Sequence, residues 1–284
     1  MKLLHGQPVA TKIESALKKR LNGVSRPPGL AFVLVGNNPA AELYVRLKKR
    51  KCTDVGIASR DTTFPATVSE QELLLHIEGL NRDPTVDGIL VQLPLPRHIP
   101  SAHVTAAIDP SKDVDGFHPF NIGKLLLGEK PMFIPCTPLG IQTLLVHYDI
   151  PLEGKHVVII GRSNIVGKPL AALLMQKAPH ANATVTVANS ATSHLPEITR
   201  TADILITAMG NPHFLKADMV RKGSVVIDVG ITRVGRAIVG DVDFDRVAPL
   251  TSAITPVPGG IGPMTIAMLM SNTIEAFFRH KEFH

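Results

Sequence analysis

Tryptophan is absent from this 284-residue chain, and aromatic residues make up only 4% of it. Proteins that hold single-stranded nucleic acid stack the bases on aromatic rings, so a platform of that kind is not expected. Cysteine is nearly as scarce. Cys52 and Cys136 are far apart and form no C-x-x-C pattern, which reads as free thiols in a reducing, cytoplasmic setting. No apolar run approaches the roughly 18 residues of a membrane span, and no basic-then-apolar leader opens the chain, so neither insertion nor secretion is expected. Metal-ligand spacings are also missing. The chain has 12 histidines but no HExxH, no EF-hand loop and no paired Cys/His set, so no metal is expected.

What is present describes a globular protein with an anionic partner. Hydrophobic residues make up 44% and charged residues 19%, enough apolar content for a sizeable core and enough length for two domains. The net charge of +6 favours nucleic acid, a phosphorylated cofactor or a polycarboxylate substrate. The last two meet the charge without the missing aromatic platform.

Apolar, β-rich runs alternate with helical patterns. Leu30–Gly36 and Val86–Leu93 are nearly continuous apolar runs, typical of strands buried on both faces. Residues 40–55 and 69–81 between them read as helices, the second opened by Ser69 and Glu72 as a capping box. His156–Gly161, Ala183–Ala188, Asp203–Ala208 and Ser224–Val229 form a second series. Both series follow βαβ grammar and predict parallel sheets, the second in a nucleotide-binding arrangement. Two further stretches, Phe133–Tyr148 and Thr265–His280, read as long helices crossing between two domains, with a cleft expected there.

Several segments carry possible chemistry. Tyr44 and Lys48 lie one helical turn apart, on the same face. The spacing fits either a solvated basic face or a ring stacked on an amine. Among the cations Arg46, Lys49, Arg50 and Lys51, such an amine gives up its proton more readily and can do proton chemistry near neutral pH. Gln92 ends an apolar run that Pro94 stops, and a strand-end amide in a parallel sheet faces the ligand crevice. Asp113 and Asp115 lie in a turn-like acidic stretch, which is more often only a turn. Asp228 ends a strand and reads as structural or site-lining. The segment Pro258–Pro263 is rich in glycine, allowing close backbone approach to a flat ligand or simply a rigid loop.

Gly161–Gly167 follows a strand and precedes a helix, the context of a dinucleotide loop. It is not GxGxxG: Ser163 replaces the second glycine and can donate its hydroxyl to a phosphate. A site for NAD places a carboxylate at the end of the next strand, to hold the ribose diol. Here that strand ends in Ala188, Asn189 and Ser190. With Arg162 in the loop and Ser190 at the strand end, a 2′-phosphate fits better, so NADP is favoured over NAD.

The segments YVRLKKRKC, VDGILVQLPLP, DVDGFHPFNIGKL, PCTPLG, GRSNIVGKPLA, VVIDVGI and ITPVPGGIGPMTIAML run in order from Tyr44 to Leu269. Together they make the chain similar to the bifunctional methylenetetrahydrofolate dehydrogenase/methenyltetrahydrofolate cyclohydrolase family. The resemblance implies an α/β protein of two domains joined by the two long helices. Residues 1–136 with 264–284 would form a three-layer folate-binding catalytic domain, and residues 137–263 a Rossmann-like NADP-binding domain. It implies that Lys48 is the catalytic lysine, with Gln92 as its partner and Tyr44 stacked on the folate ring. Asp115 would bind the amino-pyrimidine edge of the pterin, and Pro258 and Gly262 would line the folate site. Gly161, Arg162, Ser163, Ser190 and Ile231 would contact the cofactor. A homodimer and a folate substrate, with or without a polyglutamate tail, are also implied. Ala41 stands where the family often has serine, which leaves a reduced cyclohydrolase step as an alternative. An NADP oxidoreductase acting on another small substrate and a non-enzymatic RNA-binding protein are the remaining rivals.

Overall fold

The computed structural model describes residues 1–37, 39–235 and 237–282, leaving out the side chains of residues 39–41, 43, 281 and 282. The expected influence of Ala41 on the lysine therefore falls outside the described residues. In chain order the first half contains β1 (Lys2–Leu3), α1 (Gly6–Arg20), β2 (Gly29–Val35), α2 (Pro39–Val55), β3 (Ala58–Phe64), α3 (Glu70–Arg82) and β4 (Gly88–Val91), followed by α4 (Ser101–Ala107), α5 (Pro119–Leu127) and α6 (Cys136–His147). The second half contains β5 (His156–Ile160), α7 (Gly167–Leu174), β6 (Thr184–Ala188), α8 (Leu195–Thr199), β7 (Ile204–Thr207), β8 (Val225–Asp228), β9 (Thr232–Val234) and β10 (Ala237–Val239). It ends with α9 (Phe244–Val247), β11 (Ala253–Ile254) and α10 (Ile261–Glu282). No helix among the described residues is long and apolar enough to cross a membrane.

The chain divides into two compact units. One comprises Lys12–Lys124, Lys130–Cys136 and Ile266–His284, the other Met1–Thr11, Leu125–Glu129 and Thr137–Thr265. In the first, β2 sits at the centre of a parallel sheet ordered β3-β2-β4. Every residue of β2 is buried, as its unbroken apolar run predicts. Strand β3, absent from the sequence reading, is a polar edge strand. Arg60 and Asp61 lie on it, charges of the kind that keep an open edge from pairing with other chains. Helix α3 begins at Ser69, whose hydroxyl accepts the Glu72 N–H at 3.2 Å. It buries Leu73, Ile77 and Leu80, one stripe at helical spacing, against the core around Val33 and Ile89.

Strand β4 has no side chain at Gly88, and a Cβ there would lie 2.7 Å from the nearer Val114 methyl carbon. That close approach lets residues 112–114 run beside the strand, with the Ile89 N–H bonded to Lys112 O at 2.8 Å. The acidic stretch is thereby laid along β4 instead of standing out as a free turn. Immediately before β4, Asp87 is fully buried. It receives both ends of the Arg26 guanidinium at 2.7 and 2.8 Å and the Gly29 N–H at 2.7 Å.

The second unit is built on a six-stranded parallel sheet ordered β1-β11-β8-β7-β5-β6. All four strands expected here are present as β5 to β8, each shorter than its apolar run. Two short strands add to them. Lys2 and Leu3 pair with Ala253 and Ile254, extending the sheet with segments too brief to show a period. From β5 the chain passes to β6 on one side and then to β7 on the other. This places the switch point, where such sheets bind ligands, between the carboxyl ends of β5 and β7.

Burial alone would push the Asp87 carboxyl up. The bonds from Arg26, His280 and Gly29 outweigh it and hold the carboxyl below the ordinary aspartate value of 3.8. A depressed carboxylate contributes stability that is present above its unfolded value and lost as pH falls through the folded one. Asp87→Asn is expected to cost about 3 kcal/mol in urea unfolding at neutral pH. The difference from the unsubstituted protein should shrink toward zero as pH falls below about 4.

Candidate active site and cofactor loop

Helix α2 buries Val45, Cys52 and Val55, which at spacings of seven and three residues share one helix face and fix its rotation on the sheet. Tyr44 and Lys48, one turn apart beside that stripe, are consequently half-buried. Lys48 Nζ donates to Gln92 Oε1 at 3.1 Å. The Gln92 N–H continues the ladder one residue past β4, bonding Val33 O at 2.9 Å, and its side-chain Nε2 donates to Leu93 O at 2.9 Å. The next peptide, Leu93–Pro94, is cis. Two of the cations expected to press on Lys48 have other partners: Lys49 pairs with Asp61 at 2.6 Å and Lys51 with Glu14 at 2.8 Å. The charge of Lys48 is felt at Asp115, where it pulls the carboxyl pKa down against burial.

The two aspartates of the acidic stretch have different roles. Asp113 is buried and accepts the N–H groups of Phe117 at 3.1 Å and His118 at 2.8 Å, and the Asn121 amide at 2.8 Å. Burial pushes its carboxyl up to about 7, against the pull of those bonds. It organises the turn. Burial also raises the Asp115 carboxyl, opposed by the charge of Lys48 and a hydrogen bond from the Cys136 thiol. Tyr44, Lys48, Gln92 and Asp115 thus belong to one unit, with Gln92 bonded to the lysine and Asp115 within reach of its charge.

Two residues of this site had been read only as background. Cys136 appeared as a free thiol, and Asn272 was not singled out within the expected helix Thr265–His280. Asn272 is buried and donates to Val114 O at 2.9 Å and Ile134 O at 3.1 Å, tying together the two segments that flank Asp115 and Cys136. The PCTP segment was visible in the sequence, but nothing local marks an asparagine for contacts more than a hundred residues away.

In the second unit the loop Gly161–Gly167 lies at the switch point. Gly161 has φ +122°, and a Cβ on it would lie 2.4 Å from Ala208 O; one on Gly167 would lie 2.1 Å from Gly161 O. Glycine is required at both positions because the backbone segments touch. Arg162 and Ser163 are exposed. The Ser163 hydroxyl oxygen accepts the Val166 N–H at 3.1 Å at the start of α7, which leaves its proton available for an external acceptor. Ile160 pairs in register with Ala188, so Arg162 and Ser190 each stand two residues beyond the same paired level. No carboxylate occupies the end of β6. Ile231 is exposed, and its Cδ1 would be 3.5 Å from a Cβ on Gly262. Pro258 follows a second cis peptide and is exposed. Asp228 is buried and accepts three backbone N–H groups, so of its two readings the structural one holds.

A parallel sheet with a glycine loop at its switch point, in one chain with a lysine–glutamine–aspartate cluster, defines an enzyme of the nicotinamide-dinucleotide class. Comparison with known proteins narrows the class. The catalytic domain of tetrahydrofolate dehydrogenase/cyclohydrolase matches residues 4–115, and its NAD(P)-binding domain matches residues 135–281. The chain belongs to that family. It is 54% identical over 284 residues to the bifunctional protein FolD of Chlamydia trachomatis serovar L2, covering 98% of this chain and 99% of that one. The structure of the bifunctional enzyme FolD from Campylobacter jejuni superposes with a TM-score of 0.94 at 48% identity, covering 98% of this chain and 99% of that one. The Trypanosoma brucei dehydrogenase-cyclohydrolase, solved with NADP cofactor and inhibitor, superposes at 0.91 with 36% identity, covering 98% and 97%.

The contrast between the two aspartates can be measured. Asp113→Asn turns an amide against backbone donors and is expected to cost about 2 kcal/mol in urea unfolding. Asp115→Asn removes a carboxylate whose charge burial already opposes, and the expected change is within about 1 kcal/mol.

Proposed function

We propose that this enzyme oxidises 5,10-methylenetetrahydrofolate to the 5,10-methenyl cation with NADP⁺ and hydrolyses that cation to 10-formyltetrahydrofolate. The observation that carries the reading is the Lys48–Gln92 hydrogen bond of 3.1 Å at the carboxyl end of a parallel strand, with the buried Asp115 carboxyl under the influence of the same lysine's charge.

Bound NADP⁺ supplies the hydride acceptor. The loop fits a phosphorylated dinucleotide. Its backbone is bare where it touches β7, Ser163 keeps a free hydroxyl proton, and Arg162 and Ser190 flank a strand end without the carboxylate that would repel a 2′-phosphate. The substrate carbon lies between two nitrogens that stabilise the cation left behind, so the first step asks the protein chiefly for orientation. Tyr44 offers a ring face to the folate, and Asp115 offers an acceptor to its amino-pyrimidine edge. Family resemblance assigns Pro258 and Gly262 to the folate and Ile231 to the cofactor.

The second step adds water at the same carbon and breaks its bond to one ring nitrogen. That nitrogen gains a proton, and one proton is released overall. Lys48 handles this traffic at Nζ, held by Gln92. The same reading includes a homodimer formed through the nucleotide unit and a substrate that can carry a polyglutamate tail, both carried over from family resemblance, and a cytoplasmic location, inferred from the free thiols.

Absorbance of methenyltetrahydrofolate, followed with and without NADP⁺, reports both steps. Lys48→Ala is expected to lower cyclohydrolase kcat by at least about 100-fold while NADP⁺ still binds; ring opening at the unsubstituted rate would remove the lysine from the mechanism. Arg162→Ala should raise KM for NADP⁺ by roughly tenfold, the weight of one charge-assisted contact, and leave KM for NAD⁺ nearly unchanged. Equal effects on the two cofactors would contradict the assignment of the 2′-phosphate.

A further inference from the structure

Two buried aspartates outside this chemistry lock the loops that follow β7 and β8. Asp241 Oδ2 accepts the N–H of Met209 at 2.7 Å and of Gly210 at 3.2 Å, and its Oδ1 accepts that of Asn211 at 2.7 Å. Three successive N–H groups converging on one anion form a nest, the backbone arrangement that in other proteins holds phosphate. Gly210, at φ +69°, makes the turn. Asp228 Oδ1 accepts the N–H groups of Gly230 and Asp241 at 3.0 Å, and its Oδ2 accepts that of Val242 at 3.0 Å.

The fit is tight on both sides. A Cβ on Gly230 would lie 2.3 Å from Asp241 Oδ1, and one on Gly240 would lie 1.9 Å from Asp228 Oδ2. Thr232 Oγ1 bonds Gly210 O at 3.4 Å, which ties the start of β9 to the nest. The locked segments border the cofactor loop, since Ala208 O is the atom against Gly161 and Ile231 directly follows Gly230.

The switch point therefore has two sets of backbone donors at neighbouring strand ends, the loop Gly161–Gly167 after β5 and the nest Met209–Asn211 after β7. One set is already filled by the protein's own carboxylate. We propose that Asp241 is a positioning residue for the cofactor: by filling the nest it fixes the turn after β7 against the Gly161 loop and holds Ile231 beside it. This inference rests on the NADP reading given above.

The test is Asp241→Ala in the full chain, with NADP⁺ affinity measured by calorimetry and thermal melting followed with and without sodium formate. The expected result is a Kd for NADP⁺ raised about tenfold and brought back toward the original value by formate, which refills the nest. Formate should also raise the melting temperature of the variant and not that of the unsubstituted protein. An unchanged Kd overturns the proposal. So does a raised Kd that formate leaves alone, because general loosening would produce it. Should the alanine variant fail to fold, Asp241→Asn carries the test: it keeps the shape but turns an amide against the nest, so an unchanged Kd overturns the proposal there too. If the unsubstituted protein itself does not bind NADP⁺, the cofactor reading fails. The formate effect on melting still decides whether the nest is an anion site.

Discussion

The folding of this chain depends on buried carboxylates that collect backbone N–H groups from loops at strand ends. Parallel strands buried on both faces satisfy one another along their length and leave polar work only at their ends. A loop there has donors but no ladder. Asp87, Asp113, Asp228 and Asp241 supply the acceptors, each binding at least one N–H from outside its own strand. Each such carboxylate is costly to bury alone and cheap once its donors are in place, so loop and acid hold each other in a single geometry. Asp115 and Ile231 lie beside segments braced in this way, whereas Tyr44 and Lys48 are placed by the apolar stripe of helix α2.

That division explains what was legible in the sequence. Strands β2, β5, β7 and β8 are visible because burial on both faces writes an apolar run, and β6, an edge strand that buries only Ala188, is visible by its β-branched residues. Helix α3 is visible because its cap and its stripe agree. Strand β3 is hidden by its polar residues, which suit an edge, and β1 by its length of two residues. Tyr44, Lys48 and Gln92 stood out because helix spacing and a strand end have a direction that sequence can carry. The partition between Asp113 and Asp115 did not, because both read as turn acids until Gly88 brings their segment against β4. Asn272 and Asp241 act through contacts remote in sequence, and only the fold assigns them.

The expectation of crowding around Lys48 shows the same limit in electrostatics. A run of cations on a helix looks like mutual repulsion. In the structure Lys49 and Lys51 each turn to a carboxylate of another element, and the lysine's own charged neighbour is an acid whose burial keeps it reluctant to ionise. Charge density along a sequence is a poor guide to charge density in space, because long side chains choose partners on other elements.

The tether of Gln92 to Leu93 O has a directional consequence. With its nitrogen engaged, the amide cannot rotate to offer a donor, so Lys48 always meets an oxygen. An ammonium spends one of its three hydrogens on that oxygen. A neutral amine spends one of two, and its lone pair must then point away from Gln92. The anchor survives gain and loss of the proton, and the lone pair emerges on a fixed side. The glutamine acts as a compass for the amine, setting the direction from which a proton can arrive or leave.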